Sequence, residues 1–161
     1  MANYYTHITF TVPLENEEQF MFLHDLVELA TTLADWDEYK QSQVLAQSPE
    51  YQYFVDSPAG DIYVEKQKDA DGASYAWLYC EEASDPWTFG LICQAFLSKF
   101  KPDGAIAFSW ADTCDKPRTD TPQGGAIFVT ATEMHVENTY DIRRRFMEKT
   151  GIKAINTSEG F

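Results

Sequence analysis

Polar and apolar residues alternate along YTHITFTV, residues 5–12, with Ile8, Phe10 and Val12 on one side and His7, Thr9 and Thr11 on the other. A period of two predicts a strand with one buried face. The period changes in ENEEQFMFLHDLVELATTLA, residues 15–34. Phe20, Leu23, Val27, Ala30 and Ala34 recur at helical spacing, and Phe22, Leu26, Leu29 and Leu33 widen the stripe. Asn16 stands where an N-cap belongs and Gln19 at the capping-box position, while Glu17 and Glu18 suit the positive end of the helix dipole. A stripe this broad suits a helix lying across a sheet.

Residues 35–49 show no clear period and allow a short helix. EYQYFVD (50–56), DIYVEKQ (61–67) and ASYAWLYCE (73–81) read as three strands of an antiparallel meander. Ser57-Pro58-Ala59-Gly60 and the Asp71-Gly72 pair supply the two turns. A second helix is expected over residues 83–100, capped by Asp85 or Ser84, with Pro86 in its first turn. AIAFSWA (105–111) and AIFVTAT (126–132) are further strands, and residues 138–151 predict a shorter helix capped by Asn138 and ended by Gly151.

The order is β-α-β-β-β-α-β-β-α. It predicts one α+β domain over residues 1–161: a largely antiparallel sheet of about six strands, two main helices on one face, and a shorter C-terminal helix. Two strand–loop–helix stretches echo each other, as two β-α-β-β-like units would.

Composition supports a folded chain, with 161 residues, 44% hydrophobic and 15% aromatic. No apolar run is long enough to span a membrane. The start has no basic segment leading into an apolar one, so a secretory leader is not expected. The three cysteines, Cys80, Cys93 and Cys114, form neither a CxxC pair nor a Cys/His cluster, so no structural metal or disulfide framework is indicated. Neither a metal nor a cofactor is called for, and a reducing cytoplasm is the simplest setting.

Charge changes the picture most. The net charge is −14, and residues 1–98 carry all of it, with 17 carboxylates against Lys40, Lys66 and Lys68. Residues 99–161 balance nine acids with nine bases. Binding nucleic acid requires neutralising phosphates, so this composition opposes it, and it opposes anionic membranes too. A protein with a basic surface is the favoured partner, including a nucleic-acid-binding protein. The candidate partner-binding carboxylates are Glu17, Glu18, Asp25, Glu28, Asp35, Asp37 and Glu38 around the first helix, with Asp56, Asp61 and Glu65 across the first expected hairpin. Arrayed on one face, they would imitate nucleic-acid charge. Solubility alone is the plainer account of the same acidity. Tyrosines and Trp77 on the strand candidates offer a second protein-binding surface, or else the rim of the core.

The stretch WADTCDKPRTDTPQGG, residues 110–125, is longer than a hairpin loop needs to be. Asp112, Cys114, Lys116 and Arg118 form its candidate loop site, for a small ligand or for catalysis. Cys114 would be the nucleophile, with Lys116 and Arg118 stabilising a thiolate. The alternative is a loop tied down by its own aspartates and prolines. No spacing places His7, His24 or His135 beside Cys114, so an enzyme is the less favoured reading. A homodimer with no further chemistry is a third.

Phe108, Trp110, Ala111, Thr113, Cys114, Lys116, Pro117, Arg118, Gly124 and Gly125 resemble the signature of a family of small uncharacterised proteins from bacteria, phages and plasmids, W-A-x-T-C-x-K-P-R followed by a glycine cluster. The starting MANYYT and the DPWTF…AFLSKF helix are also similar. The resemblance implies a mobile-element setting, and with the acidity it leads to the expectation of an inhibitor that mimics nucleic-acid charge on a host protein. It implies no particular activity.

Overall fold

A computed structural model of the chain describes residues 3–116, 123–153 and 155. Six strands form one antiparallel sheet: β1 (Tyr4–Pro13), β2 (Tyr63–Lys68), β3 (Ser74–Cys80), β4 (Ala105–Cys114), β5 (Gln123–Thr130) and β6 (Met134–Asn138). Their spatial order is β2-β3-β1-β4-β5-β6. Among the described residues there are five α-helices: α1 (Glu17–Thr32), α2 (Glu38–Gln47), α3 (Gln52–Asp56), α4 (Pro86–Phe100) and α5 (Thr139–Thr150). The protein is an α+β fold with an open sheet, as the periodicity predicts.

The chain makes two split β-α-β crossings. β1 and β2 run parallel with β3 between them, and β3 and β4 run parallel with β1 between them. The two echoing strand–helix stretches, β1-α1 and β3-α4, therefore become neighbours, with β1 pairing β3.

The helix ends form as their sequences dictate. Asn16 accepts from the Gln19 amide at 3.0 Å, and the Gln19 side chain accepts from the Glu15 amide at 2.9 Å, one residue earlier than in a regular capping box. Asp85 caps α4 through the Trp87 amide at 2.9 Å. Asn138 caps α5 through the Asp141 amide at 2.8 Å, and Gly151 closes it at φ 68°.

The core lies between α1, α4 and one face of the sheet. Phe10 of β1 stacks on Phe108 of β4 with ring centroids 4.4 Å apart, and Phe89 of α4 meets Phe10 edge-on at 5.9 Å. Leu23, Leu33, Ile92, Leu97, Ile127 and Val129 complete it.

The structure differs from the sequence pattern in two places. EYQYFVD is not a strand: Pro49–Tyr51 is a 3-10 turn and Gln52–Asp56 is α3. Its three alternating apolar residues suit a strand, but the one side chain that enters the core completely is Phe54, out of phase with them, while Tyr51, Tyr53 and Val55 pack against the core part-buried; Tyr51 stacks on Phe54 at 5.1 Å. Asp56 therefore ends a helix, and no hairpin joins it to Asp61 and Glu65. The sixth strand is instead β6, five residues long, which directly follows a tight turn in which Thr130 Oγ1 accepts from the Thr132 and Glu133 amides.

Candidate functional site

Eight of the ten partner-binding candidates lie on α1–α3 and their connections: Glu17, Glu18, Asp25, Glu28, Asp35, Asp37, Glu38 and Asp56. All eight are exposed. Residues 14–57, which contain this helical block, hold ten carboxylates against one lysine, Lys40. The α3 correction strengthens this grouping, because it moves Asp56 from the sheet into the block.

Part of that charge is answered locally. Lys66 of β2 pairs with Glu17, Lys99 of α4 approaches Glu18 at 4.0 Å, and Lys101 pairs with Glu15 at 2.7 Å. The Lys101 hydrogen bond and charge hold the Glu15 carboxyl below its ordinary range. Asp37 caps α2 through the Lys40 amide at 2.9 Å. Asp25, Glu28, Asp35, Glu38 and Asp56 have no lysine or arginine partner among the described residues. His24, Asp25 and Glu28 bring three donor atoms within 4.8 Å of one another, the only such grouping among the described residues. The sequence spacing does not single it out, and it is one exposed turn of α1 with His24 beside both carboxylates.

The other two candidates stand apart. Asp61 is structural: its carboxylate accepts from the Ala83 amide at 2.8 Å and the Glu82 amide at 3.2 Å, fastening the β2 entry to the β3–α4 loop. Glu65 points away from the helical block. It lies opposite Trp77 in the β2–β3 register, on the sheet face that α1 and α4 leave uncovered.

That uncovered face carries an aromatic ladder. Trp77 stacks on Tyr79 at 4.2 Å, and Tyr79 stacks on Tyr63 at 5.2 Å. The Trp77 indole donates to Thr9 at 2.8 Å, and the Tyr79 hydroxyl donates to Glu65 at 3.2 Å. Crowding by neighbouring rings, then the Glu65 hydrogen bond and the charges of Glu65 and Glu81, push the Tyr79 hydroxyl above its usual range. The sequence places these rings on strands; only the register places three of them in one stack.

The loop candidates are tied inward. Asp112 accepts from Thr6 Oγ1 at 2.8 Å and from the Trp110 indole at 3.3 Å. Cys114 is half-buried at the end of β4, opposite Tyr4. His7 contacts Thr113 Oγ1 at 3.2 Å, and strand alternation turns the next side chain, Cys114, to the other face. Lys116 is exposed. Arg118, Pro117 and Pro122 lie outside the described residues. An open cleft of about 450 Å3 adjoins this corner, lined by Tyr4, Tyr5, Thr6, Glu82, Ala83, Ser84, Asp112 and Gln123. Among the described residues, its charged groups are the carboxylates of Glu82 and Asp112.

The features define an open-faced antiparallel α+β domain with an acidic helical block and an aromatic sheet face. No helix among the described residues is long and apolar enough to cross a membrane. No protein-family model, curated protein or solved structure matches the chain.

Proposed function

We propose that the protein is an acidic recognition module whose helical block docks on the basic, nucleic-acid-binding surface of another protein. The observation that carries this reading is the grouping of ten carboxylates against one lysine within residues 14–57, on elements that pack together on one side of the sheet. Side chains so placed repel one another and gain by meeting a cationic surface, where counterions are released much as they are around DNA. The resemblance to mobile-element proteins fits an inhibitor that occupies a host protein's nucleic-acid site. Cytoplasmic action belongs to the same proposal.

The test is affinity capture from bacterial lysate at about 50 and 500 mM salt, a range over which phosphate-like contacts weaken by orders of magnitude. The bait is the whole chain, beside a variant carrying Asp25→Asn, Glu28→Gln, Asp35→Asn and Glu38→Gln. The reading expects nucleic-acid-binding proteins to be retained at low salt, released at high salt, lost with the variant and displaced by added duplex DNA. Capture indifferent to salt and to neutralisation would overturn it.

A further inference from the structure

The helical block leaves the aromatic ladder and the basic α5 unused, and these two features sit at opposite edges of the sheet on its uncovered side. α5 follows β6, and its Arg145 pairs with Glu137 at 2.5 Å. Glu137 is opposite Ala126, and both residues, with Ala107 and Phe128, line a groove of about 540 Å3 that Asp141 and Arg145 of α5 close on its outer side. The ladder stands at the other edge, on β2 and β3.

The two edges differ in charge. α5 holds Arg143, Arg144, Arg145 and Lys149 against Asp141 and Glu148, and Lys153 follows it. None of its residues is fully buried, and Phe146 is 58% exposed between Arg145 and Lys149. The ladder is flanked by Glu65 and Glu81, with Tyr63 48% exposed. A cationic helix with a protruding ring is chemically complementary to stacked rings edged by carboxylates, through cation–π and charge contacts.

We infer that a second copy of this chain covers the open sheet face, the α5 of each copy resting on the Tyr63–Tyr79–Trp77 ladder of the other. The strand order makes this reciprocal. A two-fold axis parallel to the strands, passing between β1 and β4, exchanges the β2 edge with the β6 edge, so both contacts form at once and the assembly closes as a dimer. The middle strands present Thr9, Thr11, Ala107 and Ser109 on this face, small side chains that leave room between the two edges, with the bulkier Tyr5 and His7 towards the start of β1. The net charge of −14 on each copy opposes association over long range. At physiological ionic strength that repulsion is screened beyond about 8 Å, whereas the direct contacts persist.

The experiment is molar-mass determination of the full chain by light scattering and sedimentation equilibrium, with Glu65→Arg, Lys149→Glu, the double variant, and Tyr63→Ser. All three substituted positions are exposed, and circular dichroism checks that each variant folds. The wild type is expected to be dimeric. Each single variant should weaken the dimer on the order of tenfold or more, and the charge-swapped double should recover most of it. A monomeric wild type, or a dimer that all three single substitutions leave unchanged, overturns the inference. So does a wild-type monomer that captures a lysine- and arginine-rich peptide on the ladder, since the face would then serve another occupant. Capture through the helical block is read separately, so failure of either proposal leaves the other intact.

Discussion

Asn3 and Asp115, 112 residues apart in sequence, are joined by three hydrogen bonds. The Asp115 carboxylate accepts from the Asn3 backbone amide at 2.9 Å and from its side-chain amide at 2.8 Å, and the Asp115 amide donates to the Asn3 carbonyl at 3.1 Å. Asp115 thus extends the β1–β4 pairing beyond Tyr4 and Cys114. The entry to the long 110–125 segment is a fastening for the first strand.

Replacing Asp115 by alanine should therefore destabilise the protein by about 1–2 kcal/mol, the range for losing charge-assisted bonds at an exposed site. Urea denaturation checks it, and Asp115→Asn should fall between the two.

Tyr53 of α3 donates its hydroxyl to Asp85, the residue that caps α4. Burial, and then the Asp85 carboxylate, push the Tyr53 hydroxyl up to about 12. A group raised on folding contributes stability that is complete below its unfolded value, near 10, and is lost as pH climbs through its folded one. The wild type should lose stability between about pH 10 and 12, and Tyr53→Phe should lose less over that window while starting lower at neutral pH. Chemical denaturation from pH 8 to 11.5 measures both.

Gly125 packs beneath the Trp110 ring and the Glu137 carbonyl, and a Cβ there would overlap both. Gly90 is also tight, but its nearest obstacle is the Met134 sulfur at 2.6 Å, the end of a flexible side chain. Gly125→Ala should cost about 2–3 kcal/mol, and Gly90→Ala distinctly less because Met134 can turn aside. Thermal unfolding of the two variants tests the order.

Cys93 is fully enclosed and Cys80 is 2% exposed, while Cys114 is half-buried. Burial pushes the Cys80 thiol up to about 11 and raises Cys93 further. A thiol reagent on the native protein should modify one cysteine quickly, and Cys114→Ser should abolish that phase. The other two should react only with global unfolding. Rapid modification of two thiols in the native state would contradict this burial.

Local pattern made much of the fold legible. The caps at Asn16, Asp85 and Asn138 were readable because each bonds an amide two or three residues away, within reach of its own sequence. Helix 1, helix 4 and strands β1, β3, β4 and β5 followed from long, clean periods. Residues 50–56 look like a strand in sequence because Tyr51, Tyr53 and Val55 alternate over a stretch too short to show the helical period that α3 adopts. β6 carries no strand signal in sequence, because MHVEN has only two apolar residues.

The candidate site was legible only as an inventory. Acidity, tyrosines on strands and an unusual loop were visible in the chain.

The sequence alone determined the starts of α1, α4 and α5 and the long strands, because hydrophobic spacing and capping act over a few residues. It also determined that residues 1–98 carry the whole charge excess. Only the tertiary structure decided that eight candidate carboxylates share the helical block, that Asp61 serves two backbone amides, that Glu65 joins the rings on the opposite face, and that Cys114 turns away from His7. Those outcomes depend on strand register and on which face each element buries. Both are settled by packing residues far apart in the chain, where a shift of one position turns a side chain to the other side of the sheet.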